Sequence, residues 1–539
     1  MGETSKIARG FLVLFCVFFF ACTFSYLLHA GRLAVVPIYD DVSYLIDAIS
    51  RLGTLEYQGL GGFLRSFTVM PAHSPVFAVI GTFGLLLSAT EAWGPYALNA
   101  LWLLAFAVLA WRALGRIPDW SRVGIIMAML AAPMFGYVIS EFRPDIVWGL
   151  LIGFAVALLA SVDLAVIRLR AAAAYGLLIG VAVLTKPSGM PAAIVVLGTG
   201  MVLQFGIAFL TARPAGSKAT LVRFAIMLCA ALAPIVLYMI FSWRHVWDYI
   251  YSTLIVEKGV WSLNASRIEH IVFYLVYPNA FRLLGWVWYA CIPILIICAA
   301  VLIHFRQRQR LLRLAGLVLT VLVAYLIPTA SSVKTFYIGS IFYGPVIAVT
   351  VWALGAIVEA VRPSPKIVGI LGAAVFTAAW TPKTGSTGLD DPRVAIIDDA
   401  SKAILPEIIA TLKTREPGKR STVLFTSPGP VYSGTLEFMS LRQGLNERYI
   451  NGYTWSDWSL YEQAFSFSDI VVSPEPGILG QDGFNFPSFA FQQRILDEMR
   501  HDPAFDARRA YIDPNGKAIW IFTRKASFPM KKPVEKPAS

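Results

Sequence analysis

The chain has 539 residues, is 57% hydrophobic and only 14% charged, and its mean hydropathy of +0.65 excludes an ordinary soluble protein. Its formal charge of +12 would suit nucleic acid, but most basic residues sit in short loops between apolar runs, where positive-inside bias puts them, so nucleic acid is excluded as a partner. The five cysteines (Cys16, Cys22, Cys229, Cys291 and Cys298) lie within or at the ends of apolar runs, which excludes a disulfide framework and a cysteine zinc site.

In chain order, the first apolar run, Phe11 to Leu28, follows Lys6 and Arg9 and has no clear small-x-small cleavage site behind it, so it reads as an uncleaved span. Residues 31–74 form a long first outer loop, in which Val42–Phe67 has the mixed pattern of interfacial helices. Residues 75–90 and 95–111 look like two runs, yet an outer loop before them and an inner loop at 112–122 demand an odd number of crossings. The first piece is short and is broken by Pro75, Gly81 and Gly84, so it is expected to be tilted, partly re-entrant or joined to its neighbour.

Basic clusters at Arg112/Arg116/Arg122, Arg168/Arg170, Arg213/Lys218/Arg223, Arg306/Arg308/Arg310/Arg313 and Arg362/Lys366 mark inner loops. Segments 140–145, 186–188, 242–282 and 332–336 alternate with them on the outer side, and 242–282 carries Trp243, Trp247, Tyr249, Tyr251 and Trp261 as an aromatic belt. The expectation is a polytopic α-helical membrane protein of about 11 spans, within about 10–13. A bacterial inner membrane is the expected location, with the N-terminus cytoplasmic and residues 1–382 forming the membrane domain.

Residues 383–525 have soluble composition, alternating strand-like runs (Thr422–Thr426, Asp469–Val472, Ala518–Thr523) with helical or turn segments such as Ser488–Arg500. Arg508–Ile512 and Ala518–Thr523 around Asp513-Pro-Asn-Gly read as a hairpin. A C-terminal soluble α/β periplasmic domain is expected, followed by a disordered Lys- and Pro-rich tail at 526–539.

Charged groups at span ends need a reason, because burying them is costly. Asp40 and Asp41 follow the first span; one carboxylate can take a proton while the other orients it or holds a metal, although a solvated pair or helix cap is the plainer reading. His73-Ser74-Pro75 opens the next apolar run, and its histidine can meet a phosphate or sit in the interface. Glu141-Phe-Arg143-Pro-Asp145 is an outer turn whose arginine runs against the positive-inside trend, which calls for a local partner or an anionic ligand. Lys186 and Lys334, the latter followed by Tyr337, are each explained alone by snorkelling, but on one side with the carboxylates they favour a phosphate-binding site.

This order of motifs resembles the glycosyltransferase C (GT-C) superfamily, membrane enzymes that use polyprenyl-phosphate-linked sugars, such as protein O-mannosyltransferases and the lipid A aminoarabinose transferase. The resemblance covers about residues 10–360 and rests on the acidic pair Asp40–Asp41, His73-Ser74-Pro75, Arg143-Pro144-Asp145 and Lys334–Tyr337. Ser74 stands where the family usually has proline, and 242–282 carries no matching motif. The resemblance implies inverting transfer to an envelope glycan (lipopolysaccharide among them), lipid or protein, with Asp41, or its neighbour Asp40, as general base. Arg143, Lys186 and Lys334 would bind lipid phosphate, with His73, Tyr337 and Glu141 lining the site and Asp145 orienting Arg143 or binding sugar. It requires no certain cofactor and leaves a divalent cation (Mg or Mn) open, on Asp40 or Asp145. The competing readings are a transporter or lipid flippase, which the lack of internal repeats weakens, and a non-catalytic subunit of an envelope assembly.

Overall fold

The computed structural model describes residues 3–528, apart from 212–213, 257, 264, 384, 386–387, 416–419 and 482–485. Arg213, one of the expected loop markers, and most of the expected tail, 529–539, lie outside the described residues. Among the described residues, eight helices are long and apolar enough to cross a membrane, and the pair Asp119–Leu130 and Pro133–Ser140, bent by 70°, would make nine as one span. Three shorter apolar helices, Pro75–Leu87, Leu169–Thr185 and Pro365–Ala379, accompany them. The chain is a multi-pass membrane protein with a small C-terminal sheet.

Two helices, Pro144–Ser161 and Ser340–Val361, are apolar all round and buried along nearly their whole length, as such helices must be at the centre of a bundle. They touch through small residues four apart: Gly149 and Gly153 on one, Ser340 and Gly344 on the other. A Cβ added at Gly344 would lie 2.0 Å from the Gly149 carbonyl oxygen, and one at Gly153 2.4 Å from that of Gly344. Gly344→Ala is therefore expected to cost about 1–3 kcal/mol by forcing the axes apart, read as a lower melting temperature in detergent. An unchanged melting temperature would show that this contact does not set the helix spacing.

The face that carries the sheet is built from the first loop and the Pro75–Leu87 helix. Helix Asp40–Val69 bends at Gly59 (φ 69°), folding the interfacial stretch back on itself. Arg51, fully buried, fastens this bend, donating to Asp47 (2.9 Å), Ser66 (2.7 Å) and the Met70 carbonyl (2.6 Å). Pro75–Leu87 begins where Ser74 Oγ donates to the Thr185 carbonyl (2.6 Å) and ends near Glu91, which pairs with Arg442 beside the sheet. One end thus meets the Thr185 corner and the other leads to the Arg442 side of the sheet; Gly84 and Gly94 pack so closely at the turn that a Cβ on Gly84 would sit 2.5 Å from Pro95 N. The start of segment 242–282 is also helical: Pro214–Tyr251 runs 38 residues, so Trp243, Trp247 and Tyr249 prolong a membrane helix beyond its apolar part.

The sheet contains β1 (Thr422–Phe425), β2 (Arg448–Asn451), β3 (Ile470–Pro474), β4 (Phe505–Ile512) and β5 (Ala518–Arg524), in the order β2-β1-β3-β5-β4. The first three are parallel and the β4–β5 hairpin is antiparallel, Ile512 facing Ala518. Period-two alternation splits the strands between two cores: Val423, Ile470 and Ile519 face helix Pro392–Lys413, while Leu424, Val471 and Phe522 face helices Trp458–Phe467 and Gln492–His501. β2, with its mixed burial, carried no strand signal in the sequence.

Candidate active site

The site is assembled from corners at the sheet-face ends of helices. Prolines start the helices at 75, 144 and 187, and the residues before the first two, Ser74 and Arg143, are extended and free to project side chains. Arg143, in extended conformation before Pro144, pairs with Asp40, lies 3.4 Å from Asp145 Oδ2 through Nε, and stacks its guanidinium 3.6 Å from the centre of the Tyr337 ring. Asp145, in the first turn of the central helix, also pairs with Lys186, whose ammonium is 5.6 Å from the Trp148 ring. Asp40, Arg143, Asp145 and Lys186 therefore form one continuous ionic chain.

The two adjacent acids point in different directions. The Asp40 side chain is 66% exposed, whereas that of Asp41 is fully buried. Asp41 Oδ2 accepts from Tyr96 OH (2.5 Å) and from the Phe142 backbone N–H (3.0 Å), and Arg32 Nε lies 3.5 Å away. Asp41 joins the first loop to the 141–143 corner. Arg32 and Tyr96 were missed in the sequence. Arg32 carried the same signal as Arg143, an arginine on the outer side, while Tyr96 carried none.

Glu141 is buried; it accepts from Tyr337 OH, its backbone carbonyl accepts from Asn99 Nδ2 (3.1 Å), and its own Oε2 has no hydrogen bond among the described residues. Burial pushes its carboxyl up to about 7, against the pull of Arg143. A raised carboxyl favours the folded state below the unfolded value of 4.5, and that contribution is lost as pH climbs through about 7. Glu141→Gln is thus expected to remove a decline in stability between about pH 5 and 8 worth on the order of a few kcal/mol, measured as melting temperature against pH. Parallel curves for both proteins would remove Glu141 as the titrating group.

His73 lies between the Tyr44 and Tyr249 rings, 5.7 and 4.3 Å away. Burial, and then the nearby Lys186 ammonium, pull its imidazole down to about 4, so it is neutral at pH 7. Ser74 caps helix Pro75–Leu87 (3.4 Å from Phe77 N) while also holding Thr185, a double role that a proline cannot fill. Lys334 is not brought into the ionic chain. Its ammonium donates to the Pro328 and Thr329 carbonyls (2.7 and 2.9 Å) at the end of the preceding helix, and burial lowers it to about 8. It neutralises a helix C-terminus, where backbone acceptors are otherwise unmatched.

The donor set does not suit a divalent cation on Asp40 or Asp145. Both carboxylates already face Arg143 or Lys186, and among the described residues no group of three or more His, Cys, Asp and Glu is placed to hold a metal.

Neither a family model nor a curated relative matches the sequence itself. In three dimensions the chain is similar to the apo form of ArnT from Cupriavidus metallidurans, at TM-score 0.59 and 13% identity over 98% of this chain and 100% of that one. The fold is the glycosyltransferase C fold. The same enzyme bound to undecaprenyl phosphate matches at TM-score 0.56 and 14% identity over 97% and 99% of the two chains. The arabinofuranosyltransferase AftD from Mycobacteria matches at TM-score 0.53 and 15% identity, over 96% of this chain and 40% of the larger one. In this chain the glycosyltransferase C fold extends through the C-terminal sheet, and its sheet-face corners carry an exposed carboxylate beside two cations.

Proposed function

We propose that the chain is an integral-membrane glycosyltransferase that moves a sugar from a polyprenyl-phosphate donor to an envelope acceptor, inverting the anomeric carbon. The observation that carries this is the ionic chain Asp40–Arg143–Asp145–Lys186, set at helix ends in a fold shared with an enzyme bound to undecaprenyl phosphate. Asp40, the exposed member of the acidic pair, takes the acceptor hydroxyl proton as general base; Asp41 fixes the site from behind. The acceptor oxygen bonds to the anomeric carbon, the bond from that carbon to the phosphate oxygen breaks, and its electron pair leaves with polyprenyl phosphate. Arg143 and Lys186, preset by Asp145, face the charge that grows on the phosphate.

The basic loops lie at the helix ends away from the sheet, which supports a cytoplasmic N-terminus and a periplasmic 383–525 domain beside a 1–382 membrane domain in a bacterial inner membrane. The test is direct. Purified protein in lipid nanodiscs, given polyprenyl-phosphate sugars and an envelope lipid extract, is expected to release polyprenyl phosphate in step with sugar transfer, the product anomer being opposite to the donor's. Release that does not exceed a protein-free control would overturn the reading.

A further inference from the structure

Tyr39, the residue before the acidic pair, sits at φ 60°, ψ −154°. For a residue with a side chain this costs about 1–3 kcal/mol and persists only when its surroundings impose it. Most of what imposes it belongs to the C-terminal part of the chain. The Val36 N–H donates to Asp398 Oδ1 (2.9 Å), and the Pro37 carbonyl accepts from Thr435 Oγ (2.6 Å). Ile38 is fully buried against Val394 and Ile397. The Tyr39 ring meets Tyr432 edge-on at 5.7 Å, with the Arg32 guanidinium 5.0 Å from it on the membrane side. Helix Ser433–Leu441 also packs on the next turn, a Cβ at Gly434 falling 3.0 Å from Val42.

The strained turn has one visible consequence. It starts helix Asp40–Val69 at an angle that buries Asp41 and leaves Asp40 facing out to meet Arg143. Relaxed into an ordinary extended conformation, Tyr39 would rotate both carboxylates away from these partners. We propose that Thr435 and Tyr432 are positioning residues: through Pro37 and Tyr39 they hold the strained backbone that aims Asp40 at Arg143. Its link to sugar transfer rests on the role given to Asp40 above, but the geometry is testable without substrate.

The experiment uses the full-length protein with Cys16, Cys22, Cys229, Cys291 and Cys298 replaced by alanine and Asp40→Cys introduced. A thiol beside Arg143 is held partly as thiolate and reacts quickly with a water-soluble maleimide at neutral pH. Adding Thr435→Val with Tyr432→Ala is expected to slow labelling about fivefold or more, as the D40C thiol swings off Arg143. Adding Tyr39→Gly to that chain is expected to restore the rate to within about twofold, because glycine takes a positive φ without strain. Thr435→Ser keeps the hydroxyl donor and should label like the parent. In chains that keep Asp40, the T435V/Y432A pair is expected to lower kcat about tenfold with donor KM within about twofold, as loss of aim rather than of binding predicts. If labelling follows this pattern but the parent shows no turnover, the positioning role stands and the glycosyl-transfer reading falls. Labelling that T435V/Y432A leaves unchanged, or slowing that Y39G fails to correct, overturns the proposal.

Discussion

Asp40→Asn is expected to lower kcat for sugar transfer about 10²–10⁴-fold while leaving the melting temperature near that of the parent. Asparagine keeps the size of the side chain and can still accept from Arg143, but it cannot take the acceptor's proton. The fold should tolerate the change, because the Asp40 side chain is 66% exposed and exposed ion pairs contribute little. Arg143 also keeps Asp145 at 3.4 Å and the Tyr337 ring at 3.6 Å, so its own position is retained. Release of polyprenyl phosphate with a radiolabelled donor, beside a melting curve, reads both halves. Turnover within about threefold of the parent would remove Asp40 as the base.

The neighbouring position should behave in the opposite way. Asp41→Ala is expected to cost about 3–5 kcal/mol of stability, because it removes the carboxylate facing the buried Arg32 and leaves donors at Tyr96 and the Phe142 backbone without their acceptor. The loss should appear as poor yield and a melting temperature far below the parent's, and any fall in turnover should track the folded fraction. A protein of normal stability that had lost its activity would return Asp41 to the chemistry. The two adjacent aspartates are thus expected to separate by experiment into one whose loss stops turnover and one whose loss unfolds the protein.

The membrane architecture was legible because the bilayer imposes it: apolar length, loop charge and the alternation of sides follow from solvation and need no knowledge of packing. The parity conflict around residues 75–111 was legible for the same reason; Pro75–Leu87, at 13 residues, is shorter than every span-length helix and is tied at its ends to Thr185 and, through Glu91, to Arg442. Arg143, Asp145 and Lys186 could be paired in advance only by side, as membrane depth is readable from sequence and lateral distance is not. Lys334 shows the limit. Its side was read from the loop pattern, but whether its ammonium faces ligand or the carbonyls of Pro328 and Thr329 depends on a helix end that hydropathy does not resolve. The different burial of Asp40 and Asp41 was hidden for a related reason, since the turn ahead of them is in contact with residues nearly 400 positions away, a separation of 398 between Thr435 and Pro37.

That separation carries a consequence for how the molecule comes into being. The loop ahead of the acidic pair is tied to partners 362 and 398 residues further along the chain. At a synthesis rate of about 5–20 residues per second, roughly 20–80 s pass between the emergence of the loop and that of the residues that hold it. During this interval the early helices are inserted while their loop lacks the two contacts that join it to Asp398 and Thr435. The contacts that bear on the Tyr39 turn are therefore completed only once Thr435 has emerged, and a chain released before that point would occupy the membrane without them.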